Sequence, residues 1–255
     1  MKPLEIKHRV IGGGEPLICV PVVEQDAQSV IREITYLSQS TADMIEWRVD
    51  AFRDFTDYNA IRSVFEAVAP LLGEKLFLYT FRTAHQGGMA QVKAEQLDDL
   101  HDLAAESGCV DLVDLEFFEE DRPLHKIKRL REMGVSVIAS HHDFEQTPSP
   151  EVMKMLLEKM CAGGADIVKL AVMPQNYKDV LNLLDVTAQF REENPDTPVI
   201  TMSMGSLGGI SRISGGTFGS CVTFGAHEKP SAPGQFTMKE LRQMLDTIHA
   251  SSQIQ

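Results

Sequence analysis

The sequence predicts a (β/α)8 barrel with an N-terminal β-hairpin closing one end, and three observations carry that prediction. Short apolar runs alternate with amphipathic stretches about eight times along 255 residues, the size of one such barrel. Regular alternation of strand and helix implies parallel strands joined by right-handed crossovers. The first strand-to-helix turn lacks a G-x-G-x-x-G pattern, which argues against an open doubly wound sheet. No Pro/Ser/Gly linker, low-complexity segment or internal repeat divides the chain, so residues 1–255 are expected to form a single barrel domain.

Taken in order, residues 4–11 read as a strand and Gly12-Gly13-Gly14 as its turn, the candidate for the hairpin. Strand-like runs follow at 16–22, 43–49, 75–81, 111–117, 135–140, 166–172, 197–203 and 219–224. Helical patterns lie near 26–39, 57–71, 92–107, 121–133, 149–162, 177–192 and 237–250, with a Gly-rich one near 207–215. The sixth run shows the pattern best. A continuous apolar stretch bounded by Gly163-Gly164 and Pro174 suits a strand covered on both faces.

A formal net charge of −13 argues against nucleic acid and anionic membrane as partners. If the substrate is an anion, arginines must be gathered locally. Cys19, Cys109, Cys161 and Cys221 show no C-x-x-C spacing and fit the reduced thiols of a cytoplasmic protein. Residues 1–6 have no apolar signal-peptide core and no stretch reaches transmembrane length, so a soluble protein is expected.

Chemistry in such a barrel sits at the C-terminal strand ends. Lys169, mid-strand in the sixth run, would lose hydration there, which favours the neutral amine, a nucleophile toward carbonyl carbon. The alternative is a lysine paired with a carboxylate or snorkelling out of the strand end. In Asp43–Asp50, strand alternation puts Glu46, Arg48 and Asp50 on one face and Ile45, Trp47 and Val49 on the other. The charged face must be the barrel interior or its mouth, either for function or as a structural Glu46–Arg48 network. Arg82 ends the third run ahead of Gly87-Gly88, a pair that permits a tight loop. His141 and His142 are adjacent, so only one can face the mouth, and a two-histidine metal site is not expected. One histidine beside Lys169 would serve as a general acid/base. Met204–Arg212 joins a Gly-rich stretch to an arginine, which suits an oxyanion, phosphate or carboxylate. Lys229–Gln235 offers a hydroxyl and an amide on a proline-stiffened loop.

Together, Glu46-Trp47-Arg48-Val49-Asp50, Thr80-Phe81-Arg82, His142-Asp143-Phe144, Lys169 to Pro174, Ile200 to Met204, Ile210-Ser211-Arg212 and Ser231 to Gln235 resemble the type I 3-dehydroquinate dehydratases of the shikimate pathway. The resemblance implies conversion of 3-dehydroquinate to 3-dehydroshikimate, with no metal and no cofactor, through an imine on Lys169. His142 would take the acidified ring proton, later protonate the departing hydroxyl, and help make and break the carbinolamine. Arg212 would grip the substrate carboxylate, as a planar fork of donors can. Glu46, Arg82, Ser231 and Gln235 would hold ring hydroxyls and close the site. Arg48 would keep Glu46 placed, and the gathered cations would further favour the unprotonated lysine. A homodimer is implied as well.

Two positions depart from the family pattern. Gln86 stands where a glutamate normally precedes the Gly pair, beside the catalytic histidine. Glutamine keeps a hydrogen bond but brings no charge, so imine formation is expected to survive while proton transfer slows. His141 stands where the family usually has asparagine. Two rival readings follow: another class I Schiff-base barrel lyase or aldolase acting on a phosphorylated sugar, or a homologue that binds shikimate-pathway acids but turns over poorly.

Overall fold

The computed structural model describes residues 4–228 and 230–252. Residues 1–3 and Lys229, both read above, lie outside that range. Strands β1 (Leu4–Ile6) and β2 (Arg9–Ile11) form an antiparallel hairpin. Eight parallel strands follow: β3 (Leu17–Val22), β4 (Met44–Arg48), β5 (Leu76–Thr80), β6 (Leu112–Glu116), β7 (Ser136–Asp143), β8 (Ile167–Val172), β9 (Val199–Ser203) and β10 (Val222–Phe224). They pair in chain order, and β10 returns to pair with β3. Between β9 and β10 the ladder shrinks to one bridge, Val199 with Ser220, where Cys221 N–H donates to Val199 O (2.8 Å) and Thr201 N–H to Ser220 Oγ (3.0 Å). The sheet is thus a nearly closed barrel.

Helices α1 (Ala27–Ser38), α2 (Tyr58–Val68), α3 (Ala94–Glu106), α4 (Pro123–Glu132), α5 (Pro150–Ala162) and α6 (Tyr177–Glu193) occupy the successive crossovers, α7 (Gly209–Ile213) and α8 (Gly215–Phe218) the Gly-rich one, and α9 (Met238–Ser252) ends the chain. Local chemistry starts several of them: the Asp26 carboxylate accepts from Ser29 N–H at α1, and Asn176 and Asp179 form a reciprocal capping box at α6. Among the described residues no helix is long and apolar enough to cross a membrane.

Apolar residues divide by strand parity. Outward-facing Val20, Ile45, Trp47, Phe77, Tyr79, Val113, Val137, Val168 and Leu170 pack under the helices, with the Trp47 ring edge-on to Phe52, Phe65 and Tyr79. Inward-facing Cys19, Met44, Leu76, Leu78, Leu112, Ile138, Ile167 and Ile200 fill the lower barrel, where Ile11 of the hairpin joins them. Each fully buried side chain of this size contributes roughly 1.5–3 kcal/mol.

Three local expectations are corrected. The hairpin turn falls at Lys7-His8, not at Gly12-Gly13-Gly14. Both residues take positive φ (47° and 63°), a two-residue turn usually marked by Asn or Gly, and neither is there to be read. Strand β7 runs on to Asp143 instead of stopping near 140, and this lifts both histidines onto the strand. Strand β4 ends at Arg48, and Val49–Ala51 form a 3-10 turn, so Asp50 reaches the mouth from a turn and not by strand alternation.

Candidate active site

The inward positions toward the C-terminal ends of β4 to β8 carry Glu46, Arg48, Thr80, Asp114, Glu116, Ser140, His142 and Lys169. Those of β8 to β10 carry Ala171, Met202 and Phe224. One half of the mouth is therefore ionic and the other apolar. Between them lies a cavity of about 460 Å³, counting the open space at its entrance, lined by Glu46, Arg48, Arg82, Gln86, His142 and Lys169 and covered by Ser231 and Gln235.

Lys169 is buried, with Nζ 3.0 Å from Asp114 Oδ2 and 4.4 Å from the Phe224 ring centre. Of the two readings the sequence left open for Lys169, the structure shows the lysine paired with a carboxylate, and Asp114 is the partner the sequence did not name. Asp114 also meets Arg82 Nη2 at 2.8 Å and accepts from Ser140 Oγ at 2.5 Å. Burial alone would raise the Asp114 pKa, but Arg82 and Lys169 outweigh it and hold the carboxyl ionised, well below the usual carboxylate range. Arg82 is held in turn by Glu116 (2.9 Å), whose two oxygens also accept from Thr83 N–H and Oγ1. Arg82 is thus a structural cation between two carboxylates as well as part of the cavity wall.

Arg48 does not brace Glu46, as the resemblance implied. It forms a two-pronged pair with Asp50, Nε and Nη2 each 2.8 Å from an oxygen, while Glu46 accepts from Thr80 Oγ1 at 2.8 Å. Asp50 has a further use: it accepts Arg82 N–H and Met89 N–H, tying down the loop that carries Gln86.

His142 and Lys169 stand on adjacent strands, Ser140 opposite Lys169 and His142 opposite Ala171. Gln86 Oε1 accepts the backbone N–H of His142 at 2.9 Å and lies 3.0 Å from its Nδ1. A backbone N–H can only donate, so the amide oxygen must face the histidine, Nδ1 must carry a hydrogen, and Nε2 keeps the lone pair. Burial first, then Arg82 and Lys169, push the His142 pKa well below its ordinary value. The imidazole is a neutral base. Gln86 Nε2 is buried with no hydrogen-bond partner. His141 faces the other way, edge-on to the Phe118 ring at 5.4 Å.

Arg212 is 1% exposed and sits on α7. Gly208, where a Cβ would lie 2.0 Å from Ser203 O, lets α7 start hard against β9, and Ser211 Oγ accepts Ser203 N–H. The guanidinium donates from Nη2 to Pro233 O (3.0 Å), and its buried Nε and Nη1 have no partner. Burial lowers its pKa to about 10, which leaves it a cation at neutral pH. Arg48 and Arg82 are neutralised by carboxylates; among the described residues no salt bridge compensates Arg212. Arg212 does not itself line the cavity; the Pro233 contact ties it to the loop that does. Ser231 and Gln235 bond each other, Ser231 N–H to Oε1 (2.7 Å) and Nε2 to Ser231 Oγ (3.0 Å).

Comparison with known proteins decides the family. The model of the type I 3-dehydroquinase family matches residues 18–252. The chain belongs to the type I 3-dehydroquinase family. Curated relatives named 3-dehydroquinate dehydratase, from Syntrophotalea carbinolica and Listeria welshimeri, are each 41% identical over 250 residues, 98% of this chain and 99% of theirs. Among solved structures, a type I 3-dehydroquinate dehydratase from Clostridium difficile, carrying covalently modified comenic acid, is 38% identical with a TM-score of 0.94 over 98% of this chain and 99% of its own. A 3-dehydroquinate dehydratase from Geobacillus kaustophilus is 35% identical with a TM-score of 0.95 over 98% of each chain.

Within this type I 3-dehydroquinase chain, sequence reasoning missed Asp114 and Glu116. The signal was present: Leu112-Val113-Asp114-Leu115-Glu116 alternates as Asp43–Asp50 does, and two carboxylates on one face of a barrel strand need buried cations to meet them.

Proposed function

We propose that the protein is a 3-dehydroquinate dehydratase, a hydro-lyase of the shikimate pathway, acting through a Schiff base on Lys169. The observation that carries the reading is a buried lysine beside a neutral, orientation-fixed histidine, with one uncompensated buried arginine across the loop. Lys169 Nζ passes a proton to His142 Nε2 and attacks the ring ketone; His142 returns that proton to the carbinolamine hydroxyl, which leaves as water to give an iminium, an electron sink that acidifies the neighbouring C–H. His142 Nε2 then takes the C–H proton, giving the enamine, and returns it to the departing ring hydroxyl. Water then hydrolyses the imine, so the net change is loss of one water from the substrate. Asp114 first holds the lysine as its ammonium and then faces the iminium, so one carboxylate balances a positive nitrogen in both states. In this reading Arg212, outside the cavity wall, meets the substrate carboxylate on binding through its unpartnered Nε and Nη1, while Glu46, Arg82, Ser231 and Gln235 offer partners to ring hydroxyls, the last two by exchanging their mutual bonds for substrate.

The chain works as one barrel domain, a cytoplasmic homodimer in this reading. The aldolase alternative rests on the Gly-rich stretch 205–209, of which Gly205 N–H is already committed to Pro233 O (3.2 Å). The test is mass spectrometry after mixing protein, 3-dehydroquinate and borohydride, followed by peptide mapping. A reduced adduct on Lys169 is expected. Bound substrate with no adduct would sink the imine mechanism, and an adduct without turnover would select the poorly active binding homologue.

A further inference from the structure

The loop from Ala226 to Thr237 carries Ser231 and Gln235 and is pinched at its base, where Ala226 N–H donates to Phe236 O (2.9 Å) and Met238 N–H to Ala226 O (2.8 Å). Its inner side is fastened at Pro233, whose carbonyl accepts from Gly205 N–H and Arg212 Nη2. Its outer side is fastened by His227 to helix α1, 194 residues earlier in the chain. There Nδ1–H donates to Glu33 Oε1 at 2.7 Å, and the imidazole stacks on the Tyr36 ring with centroids 4.0 Å apart and planes 15° from parallel. Tyr36 is half exposed, and neither it nor Glu33 lines the cavity.

We propose that His227 is a positioning residue: by fixing the outer side of this loop to Glu33 and Tyr36, it sets where Ser231 and Gln235 stand over the cavity without touching substrate itself. His227 lies only four residues before Ser231, and Pro230, next to Ser231, has its φ fixed by the ring. With the outer fastening cut, the base bridge and the Pro233 contacts remain, so the barrel persists and the loop alone is less well placed. The inference rests on the reading that this cavity binds 3-dehydroquinate.

The variants His227→Ala, Glu33→Gln and Tyr36→Leu test it, with His227→Gln as the conservative change that keeps a donor for Glu33. His227→Ala is expected to raise KM roughly ten-fold, as for one charge-assisted hydrogen bond, with kcat within about two-fold. His227→Gln should recover most of the loss, and adding Glu33→Gln to His227→Ala should cost nothing further. Amide hydrogen exchange over residues 230–236 should quicken in His227→Ala while α1 keeps its protection. An unchanged KM with unchanged loop exchange overturns the proposal. So does a parallel fall in kcat and thermal midpoint that His227→Gln does not rescue. If the parent protein fails to turn over 3-dehydroquinate, the functional reading falls alone, because the exchange measurement still decides whether His227 holds the loop.

Discussion

Replacing Gln86 by glutamate puts a carboxylate oxygen where the amide Oε1 now lies, 3.0 Å from His142 Nδ1, and leaves the shape of the site unchanged. Both hydrogen bonds to His142 survive, since a carboxylate accepts as well as an amide oxygen. What changes is charge. A unit pair about 4 Å apart at an effective dielectric of about 20 is worth about 4 kcal/mol. Desolvating the new carboxylate removes roughly half, leaving about 2 kcal/mol in favour of imidazolium, or about 1.5 pKa units upward. In the native protein, burial, Arg82 and Lys169 keep this imidazole neutral well below its ordinary range. The assay is the pH dependence of kcat/KM, whose acid limb reports the base of the free enzyme. The native limb should lie on the acid side, and Gln86→Glu should move it up by 1–2 units while raising the neutral-pH rate of proton transfer about ten-fold. Superimposable profiles and rates would refute the assignment of His142 as a base tuned through residue 86.

Three further outcomes follow from the same geometry. Arg212→Gln removes the uncompensated cation and should raise KM for the carboxylate substrate by roughly 10²–10³ while the Lys169 adduct still forms at high concentration; an unaltered KM would show that the carboxylate binds elsewhere. His101, 3% exposed with neither ring nitrogen hydrogen-bonded, is held by burial at about 4 against about 6.5 unfolded. Its share of stability is intact above pH 6.5 and falls by about 1.4 kcal/mol per unit as pH drops toward 4, roughly 3 kcal/mol in all. His101→Leu should flatten that slope in urea unfolding at pH 7 and pH 5, and an identical acid loss would count against it. At Gly87, φ is +82° and a Cβ would lie 2.5 Å from the Phe144 ring, which is itself stacked on His142. Gly87→Ala should therefore cost about 1–2 kcal/mol in denaturant melts and lower kcat more than it raises KM; native kcat would disprove the coupling.

Much of this is legible in the sequence, and the particular residues say why. Lys169 announced itself because one charge in an apolar run has few explanations, and Asp43–Asp50 because period-two alternation separates inside from outside. The same alternation at Leu112–Glu116 carried Asp114 and Glu116, but a carboxylate's importance lay in the lysine it would meet two strands away, a distance no local pattern encodes. Nor can alternation choose a partner for Arg48, since Glu46 and Asp50 are both two residues from it; the 3-10 turn at Val49–Ala51 makes that choice. The amide orientation of Gln86, and hence the tautomer of His142, follows only from a backbone N–H across the barrel. The hairpin turn at Lys7-His8 uses left-handed backbone without its usual residues, so nothing marked it.

The seam between β9 and β10 has a mechanical meaning. Along β4 to β8, continuous ladders hold Lys169, His142 and Asp114, the groups assigned to the chemistry in the proposed reaction, in one frame. The groups that would grip the rest of the substrate, Arg212 after β9 and Ser231 and Gln235 after β10, hang from the two strands joined by one bridge and the hydroxyl of Ser220. The barrel is in effect a vice with one fixed jaw and one compliant jaw. In the proposed reaction, strain from clamping a ligand would be taken up at that seam, and the spacing between Lys169 and His142 would change least.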